Sequence, residues 1–165
     1  VQASLQDDLV RGRAGRERRV DMSTKSRAVS AKGVEEFKTY ITRALPLNAV
    51  ITCADNTGAK TLRIIMVSKA KTRLSRYPAA SVGDHVLVVV KRGPPDLRKQ
   101  TFGAVIVRQK YAVRRVSGLR VCFEDNAAVL VTPEGEMKGT DIKGPVASEA
   151  AEKWPRLANI ASIVV

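Results

Sequence analysis

Apolar residues in this chain gather into short, Val- and Ile-rich runs from Leu47 onward. Six runs stand out: "NAVITCA", "AKTLRIIMVS", "DHVLVVVKR", "GAVIVRQKYA", "GLRVCFED" and "AAVLVTP". Turn signals separate them at Asn56-Thr57-Gly58, Gly83-Asp84, Gly93-Pro94-Pro95, Ser117-Gly118 and Pro133-Glu134-Gly135. Strands at this spacing predict a mainly β fold, a small antiparallel barrel or sandwich. Closure would remove unpaired edges and let an aliphatic core form without large aromatics. Two connections, Lys69–Ser81 and Arg92–Thr101, are longer and cationic, the kind of loop that usually carries function.

Helical patterning is confined to the ends. Val34, Phe37, Ile41 and Leu45 fall at helical spacing and predict a short helix over 34–45, marginal on its own. "KGPVASEAAEKW" predicts a second, with Pro145 in its first turn and Glu149 and Lys153 at i and i+4. Pro155 ends that helix, and "RLANIASIVV" follows as a short helix or an apolar tail that must dock on the barrel or on a partner. The expected organisation is a basic, largely flexible extension over 1–45 and a β domain over 46–165, with its helical segment at 145–165. Residues 1–21 include "RGRAGRERR" and lack periodicity. Met22 is then the expected native start, the alternative being a basic arm that seeks RNA.

Composition narrows the class. At 165 residues, one domain with a modest extension is the default. No apolar run approaches the roughly 18 residues of a membrane span, and the N-terminal residues carry no apolar stretch of the secretory kind. Cys53 and Cys122 sit in strand-like runs, form no C-x-x-C pair, and have His85 as the sole imidazole in the chain. That excludes a Cys/His zinc site and predicts two buried thiols in a reducing compartment.

Charge changes the picture most. The net charge is +13, and residues 60–120 alone carry 15 Lys/Arg against Asp84 and Asp96. Residues 121–165 are acidic by contrast, with 4 Lys/Arg against 7 Asp/Glu. A folded segment that basic repels itself unless it meets an anionic partner, and nucleic-acid phosphate is the natural one. Tyr77, Phe102 and Tyr111 are too few to make a base-stacking platform. Recognition of a folded RNA through its backbone is therefore expected, with Arg bridging phosphates. The expected contacts are Lys60, Lys69, Lys71, Arg73, Arg76, Lys91, Arg92, Arg98, Lys99, Arg108, Lys110, Arg114 and Arg115.

Catalytic readings are weaker. "CADNTGAK" and "CFEDNAAVLV" each put a Cys before an Asp-Asn pair. A Cys nucleophile needs a base within reach, and His85 opens the most apolar strand, where a packed role is expected. Asp-Asn at a strand end suits a turn, so Asp55, Asn56 and Gly58 are expected to make one, with Cys53 packing behind it. "NTGAK" also lacks the glycines of a P-loop.

One resemblance joins these observations. From Ala104 the chain reads Ala-Val-Ile-Val, then Ser117-Gly118, Phe123, Asn126 and Val129-Leu130, the spacing of the universal large-subunit ribosomal protein fourteen family's signature. "VGDHVLVVVKRG", "VRQK" and "KGPVA" also resemble blocks of that family, in its archaeal and eukaryotic form, over about Leu45 to Val165. The resemblance implies a closed five-stranded antiparallel barrel with a projecting hairpin and short C-terminal helices. It further implies a structural, non-enzymatic component of the cytoplasmic ribosome, with no cofactor, metal or small-molecule substrate. The implied partners are large-subunit rRNA, neighbouring ribosomal proteins and, through a bridge, small-subunit rRNA. The rival readings are an extraribosomal small-barrel regulator that binds RNA or protein, and a Cys53/His85 hydrolase.

Overall fold

A computed structural model describes residues 41–70 and 72–165. Its elements in chain order are β1 (Leu45–Pro46), β2 (Val50–Cys53), β3 (Thr61–Val67), β4 (Ala79–Ala80), β5 (His85–Arg92), β6 (Thr101–Arg108), β7 (Val113–Arg114), β8 (Arg120–Val121), β9 (Ala127–Val131), α1 (Ser148–Lys153) and α2 (Pro155–Ile160). The strands β2, β3, β5, β6 and β9 pair in that order, and β9 pairs back to β2. That last pairing is parallel, Thr52 opposite Ala127 and Cys53 opposite Ala128. The other four are antiparallel.

The sheet is therefore mixed, which corrects the expected all-antiparallel barrel. The reason is parity. Strand directions that alternate around a ring of five strands must fail to alternate once. A parallel pair also needs a long crossover, and here the whole path from β3 to the end of β6 and the β7–β8 hairpin separates the two partners.

Alternation along β5 explains the interior. Val86, Val88 and Val90 are completely buried while Leu87 and Val89 between them are half-exposed. Inside the barrel they meet Leu62, Ile64, Ile106, Ala104 and Leu130. Strands β6 and β9 are buried on both faces instead. Their outward residues Val105, Val107, Val129 and Val131 pack against Val146, Ala150, Leu157 and Trp154 of the C-terminal segment. Each such Val or Leu contributes about 1.5–3 kcal/mol by leaving water. Six-residue helices would not persist alone; α1 and α2 persist because this face holds them.

Several local expectations change. Helix α1 begins at Ser148, so Pro145 lies before it, and Pro155 opens α2 as its first residue. Glu149 and Lys153 do not pair with each other: Glu149 holds Arg115 and Lys153 holds Asp84. The "GLRVCFED" run yields only the two residues of β8, paired with β7. The short strands β1 and β4, which pair with each other, carried no sequence signal. Of the helix expected over 34–45, residues 34–40 lie outside the described residues, Ile41–Ala44 are not helical, and Leu45 is strand. Met22, the rest of the N-terminal extension and Lys71 also lie outside the described residues.

Candidate nucleic-acid interface

The turn between β2 and β3 and the connection between β5 and β6 come together at one end of the β3–β5 pair. Lys60 N–H donates to the Arg92 carbonyl at 2.8 Å, and Thr61 stands opposite Arg92. Two glycines permit this approach. A Cβ on Gly58, where φ is +89°, would lie 3.0 Å from Pro94 Cγ. A Cβ on Gly93 would lie 3.1 Å from Ala59 Cα. Between the two loops opens a cleft of about 530 Å³ lined by Gly58, Lys60, Arg92, Gly93, Pro94 and Arg98. The lining holds three cations and no carboxylate. Lys60, Arg92 and Arg98 are exposed and form no ion pair among the described residues.

The remaining predicted cations divide sharply. Lys91 and Lys99 are exposed beside the cleft, Lys99 in a left-handed turn with φ +65°. Lys69, Arg73 and Arg76 are exposed on the connection that follows β3. Lys110 and Arg114 are exposed as well, on the far side of β6 in sequence. Arg108 and Arg115 are different. Arg108 is buried, bonded through Nε and Nη2 to both oxygens of Asp125 and through Nη1 to the carbonyls of Lys143 and Pro145. Arg115 grips Glu149 at 2.9 and 3.3 Å and the Val165 carbonyl at 2.7 Å. Arg108 ties the C-terminal segment to the barrel and Arg115 ties it to the β7–β8 hairpin, so most of their donors are occupied inside the fold.

The two Cys-Asp-Asn stretches do more than turn the chain. Asp55 is buried and accepts from the Thr57 backbone and hydroxyl, from Cys53 Sγ at 3.2 Å, and from Leu130 N–H of β9 at 2.9 Å. Asn56 exchanges two hydrogen bonds with Thr140. In the echo, Asp125 accepts from Thr52 as well as Arg108, and Asn126 Oδ1 accepts from Lys110 N–H. Each Asp-Asn pair is thus a clamp between distant segments. The sequence hint was the repetition itself.

Cys53 and His85 are each engaged elsewhere. Burial, then the Asp55 charge, pushes the Cys53 thiol up to about 12, so it stays protonated and poorly nucleophilic. The ring of His85 bonds Ser68 instead, Nδ1 to Oγ at 2.7 Å. Cys53 is half-buried and Cys122 exposed, which corrects the expectation of two buried thiols; both are free. Among the described residues no group of three or more His, Cys, Asp or Glu could hold a metal ion, and no helix is long and apolar enough to cross a membrane.

Residues 44–165 match the family model described as Ribosomal protein L14p/L23e. The chain is 76% identical over 135 residues to a protein of Cenarchaeum symbiosum named large ribosomal subunit protein uL14, covering 82% of this chain and 94% of that protein. A protein of the same name from Nitrosopumilus maritimus is 68% identical, covering 82% and 97%. Another, from Thermoplasma acidophilum, is 57% identical, covering 75% and 94%. All three are archaeal.

Proposed function

The chain belongs to the Ribosomal protein L14p/L23e family, and from that premise we propose that it is a structural constituent of the large ribosomal subunit that binds large-subunit rRNA. It is a scaffold, working on the cytoplasmic ribosome, and not an enzyme. Residues 46–165 act as the rRNA-binding domain, with 1–45 a basic extension. The observation that carries the reading is the cleft between the β2–β3 turn and the β5–β6 connection. Lys60, Arg92 and Arg98 line it with no carboxylate among them. Backbone glycines bring the two loops close enough to focus that charge.

Phosphate and sugar contacts of this kind fix register without reading bases. Lys91 and Lys99 extend the surface beside the cleft. Lys69, Lys71, Arg73 and Arg76 supply a second cationic loop. Arg114 reaches RNA on the β7–β8 hairpin and Lys110 on the segment that leads into it, while Arg108 and Arg115 serve the fold. The acidic C-terminal part faces basic protein neighbours, and the assembled surface near the subunit interface contributes to a bridge with small-subunit rRNA.

Expression of the tagged full chain, followed by sedimentation through a high-salt sucrose cushion, tests the assignment. Co-migration with large subunits is expected. A pool confined to the free fraction would overturn it in favour of an extraribosomal regulator.

A further inference from the structure

A second cleft, of about 230 Å³, opens at the other end of the β3–β5 pair. It lies where the end of β3 and the start of β5 meet the junction of α1 and α2. It shares no lining residue with the first cleft. Strand rise puts Ser68 and Lys60, at the two ends of β3, roughly 25 Å apart, so one phosphate cannot serve both.

The floor of this cleft is well fixed. His85 Nδ1 lies 2.7 Å from Ser68 Oγ. Its Nε2 faces Gly103 so closely that an added Cβ there would sit 2.9 Å away. The Trp154 ring stands 6.2 Å from the imidazole, held by its own N–H on the Gly83 carbonyl at 3.0 Å. Charges surround this floor. Lys153 is bonded to Asp84 Oδ1 at 2.8 Å, and Asp84 Oδ2 accepts the Ser81 N–H and hydroxyl. That carboxylate is therefore already engaged on both oxygens. Arg43 and Lys69 are exposed and make no ion pair among the described residues. Lys69 sits in the left-handed region at φ +57°, a strained conformation for a side-chain-bearing residue. The lining thus carries three cations against one committed carboxylate.

We propose that this second cleft binds a phosphate group, held by Arg43, Lys69 and the Ser68 hydroxyl, with His85 behind the hydroxyl as its relay. This rests on the proposed function for its source, a phosphate of rRNA; inorganic phosphate has the same chemistry. The volume is below the roughly 300 Å³ at which small-molecule pockets begin, which suits a phosphate better than a whole nucleotide. The Ser68 hydroxyl has one proton. When it donates to phosphate, its oxygen is left to accept from His85, which favours a proton on Nδ1. Binding thus disfavours the neutral form that lacks a proton on Nδ1, and the charge of the bound anion links it to net protonation of His85. Burial, then the charge of Lys69, holds the free imidazole below its usual 6.5. A bound anion offsets the Lys69 charge and raises it again.

The chain has one histidine, so its Hε1 resonance can be followed without ambiguity in the full-length protein. The titration is run in chloride, in inorganic phosphate at matched ionic strength, and with an oligonucleotide of large-subunit rRNA. Phosphate should raise the His85 pKa by about one unit, the size of a single close opposite charge. That increment should vanish in Arg43→Gln and in Lys69→Gln, although Lys69→Gln alone raises the starting value. A shift with both ligands supports an RNA phosphate; a shift with inorganic phosphate alone supports a free-phosphate site. RNA binding with the His85 titration unmoved by either ligand overturns this inference and leaves the proposed function standing. Absence of both RNA binding and any phosphate shift overturns both.

Discussion

Arg108 and Asp125 meet as a two-point ion pair, Nε to Oδ1 at 2.8 Å and Nη2 to Oδ2 at 3.0 Å. The third nitrogen of the same guanidinium reaches the carbonyls of Lys143 and Pro145 at 2.9 Å. One side chain therefore joins β6, the segment before β9, and the approach to α1. Gly144 is shaped around it: at φ +83°, a Cβ there would lie 3.1 Å from Arg108 Nη1.

Replacing Arg108 by Met removes four hydrogen bonds and strands Asp125 beside the barrel. Because Asp125 is part-exposed, the cost should be about 2–3 kcal/mol, below that of a deeply buried pair. Urea unfolding measures it. Arg108→Lys should recover only part, since an ammonium cannot form the planar fork. RNA affinity of the folded variant should be close to wild type; a selective drop in affinity with unchanged stability would reassign Arg108 to the interface.

Acid should weaken the same junction. The Arg108 hydrogen bond, opposed by burial and aided by Thr52, holds the Asp125 carboxyl below its ordinary 3.8. A depressed folded pKa means the stabilisation is fully present above the unfolded value and is lost as pH falls through the folded one. The melting temperature should therefore decline below about pH 4. Glu149 and Asp84, whose carboxyls are also lowered, titrate in the same acid window. The comparison that isolates Asp125 is with Asp125→Asn, which should start less stable and decline less steeply. Parallel curves for the two proteins would show that the pair contributes nothing in this window.

Asp55 stitches the β2–β3 turn to β9 through Leu130 N–H. Asp55→Ala orphans that buried donor and should cost about 1–3 kcal/mol. Asp55→Asn keeps an acceptor oxygen and should cost less. Amide hydrogen exchange at Leu130 reads the effect locally: exchange should quicken in Asp55→Ala well beyond that of Val88 in the same barrel. Equal acceleration at both would mean general destabilisation, and no change at Leu130 would remove Asp55 from this role.

The main strands were legible because β-branched runs and Gly-containing turns record strand length and reversal directly; their closure into a barrel rather than a sandwich came only with the family resemblance. β5 shows this best, its Val86, Val88 and Val90 pointing inward at every second position. The parallel closure of β2 on β9 was not legible, although counting five strands in a ring would have required one parallel pair. Strands β1 and β4 span two residues each and are too short for any periodicity. The cationic segment was legible as a whole but not residue by residue. Arg108 and Arg115 read like their neighbours because their partners, Asp125 and Glu149, lie 17 and 34 positions away. Charge pattern records where cations are dense; only the fold records which of them are already paired. Conversely, Asp55 and Asp125 read as turn residues because an Asp-Asn pair suits a turn, whereas their long-range acceptor roles depend on Leu130 and Arg108.

The central claim is that rRNA is held electrostatically at the cleft between the two loops. Its most direct test is the dependence of rRNA affinity on salt for the wild-type chain and for the Lys60→Gln/Arg92→Gln/Arg98→Gln variant. Log affinity should fall linearly with log salt. The variant's slope should be shallower by about 2–3, at roughly 0.7–0.9 for each phosphate that the protein no longer neutralises. A wild-type affinity indifferent to salt, or a variant with the wild-type slope and affinity, would contradict the account.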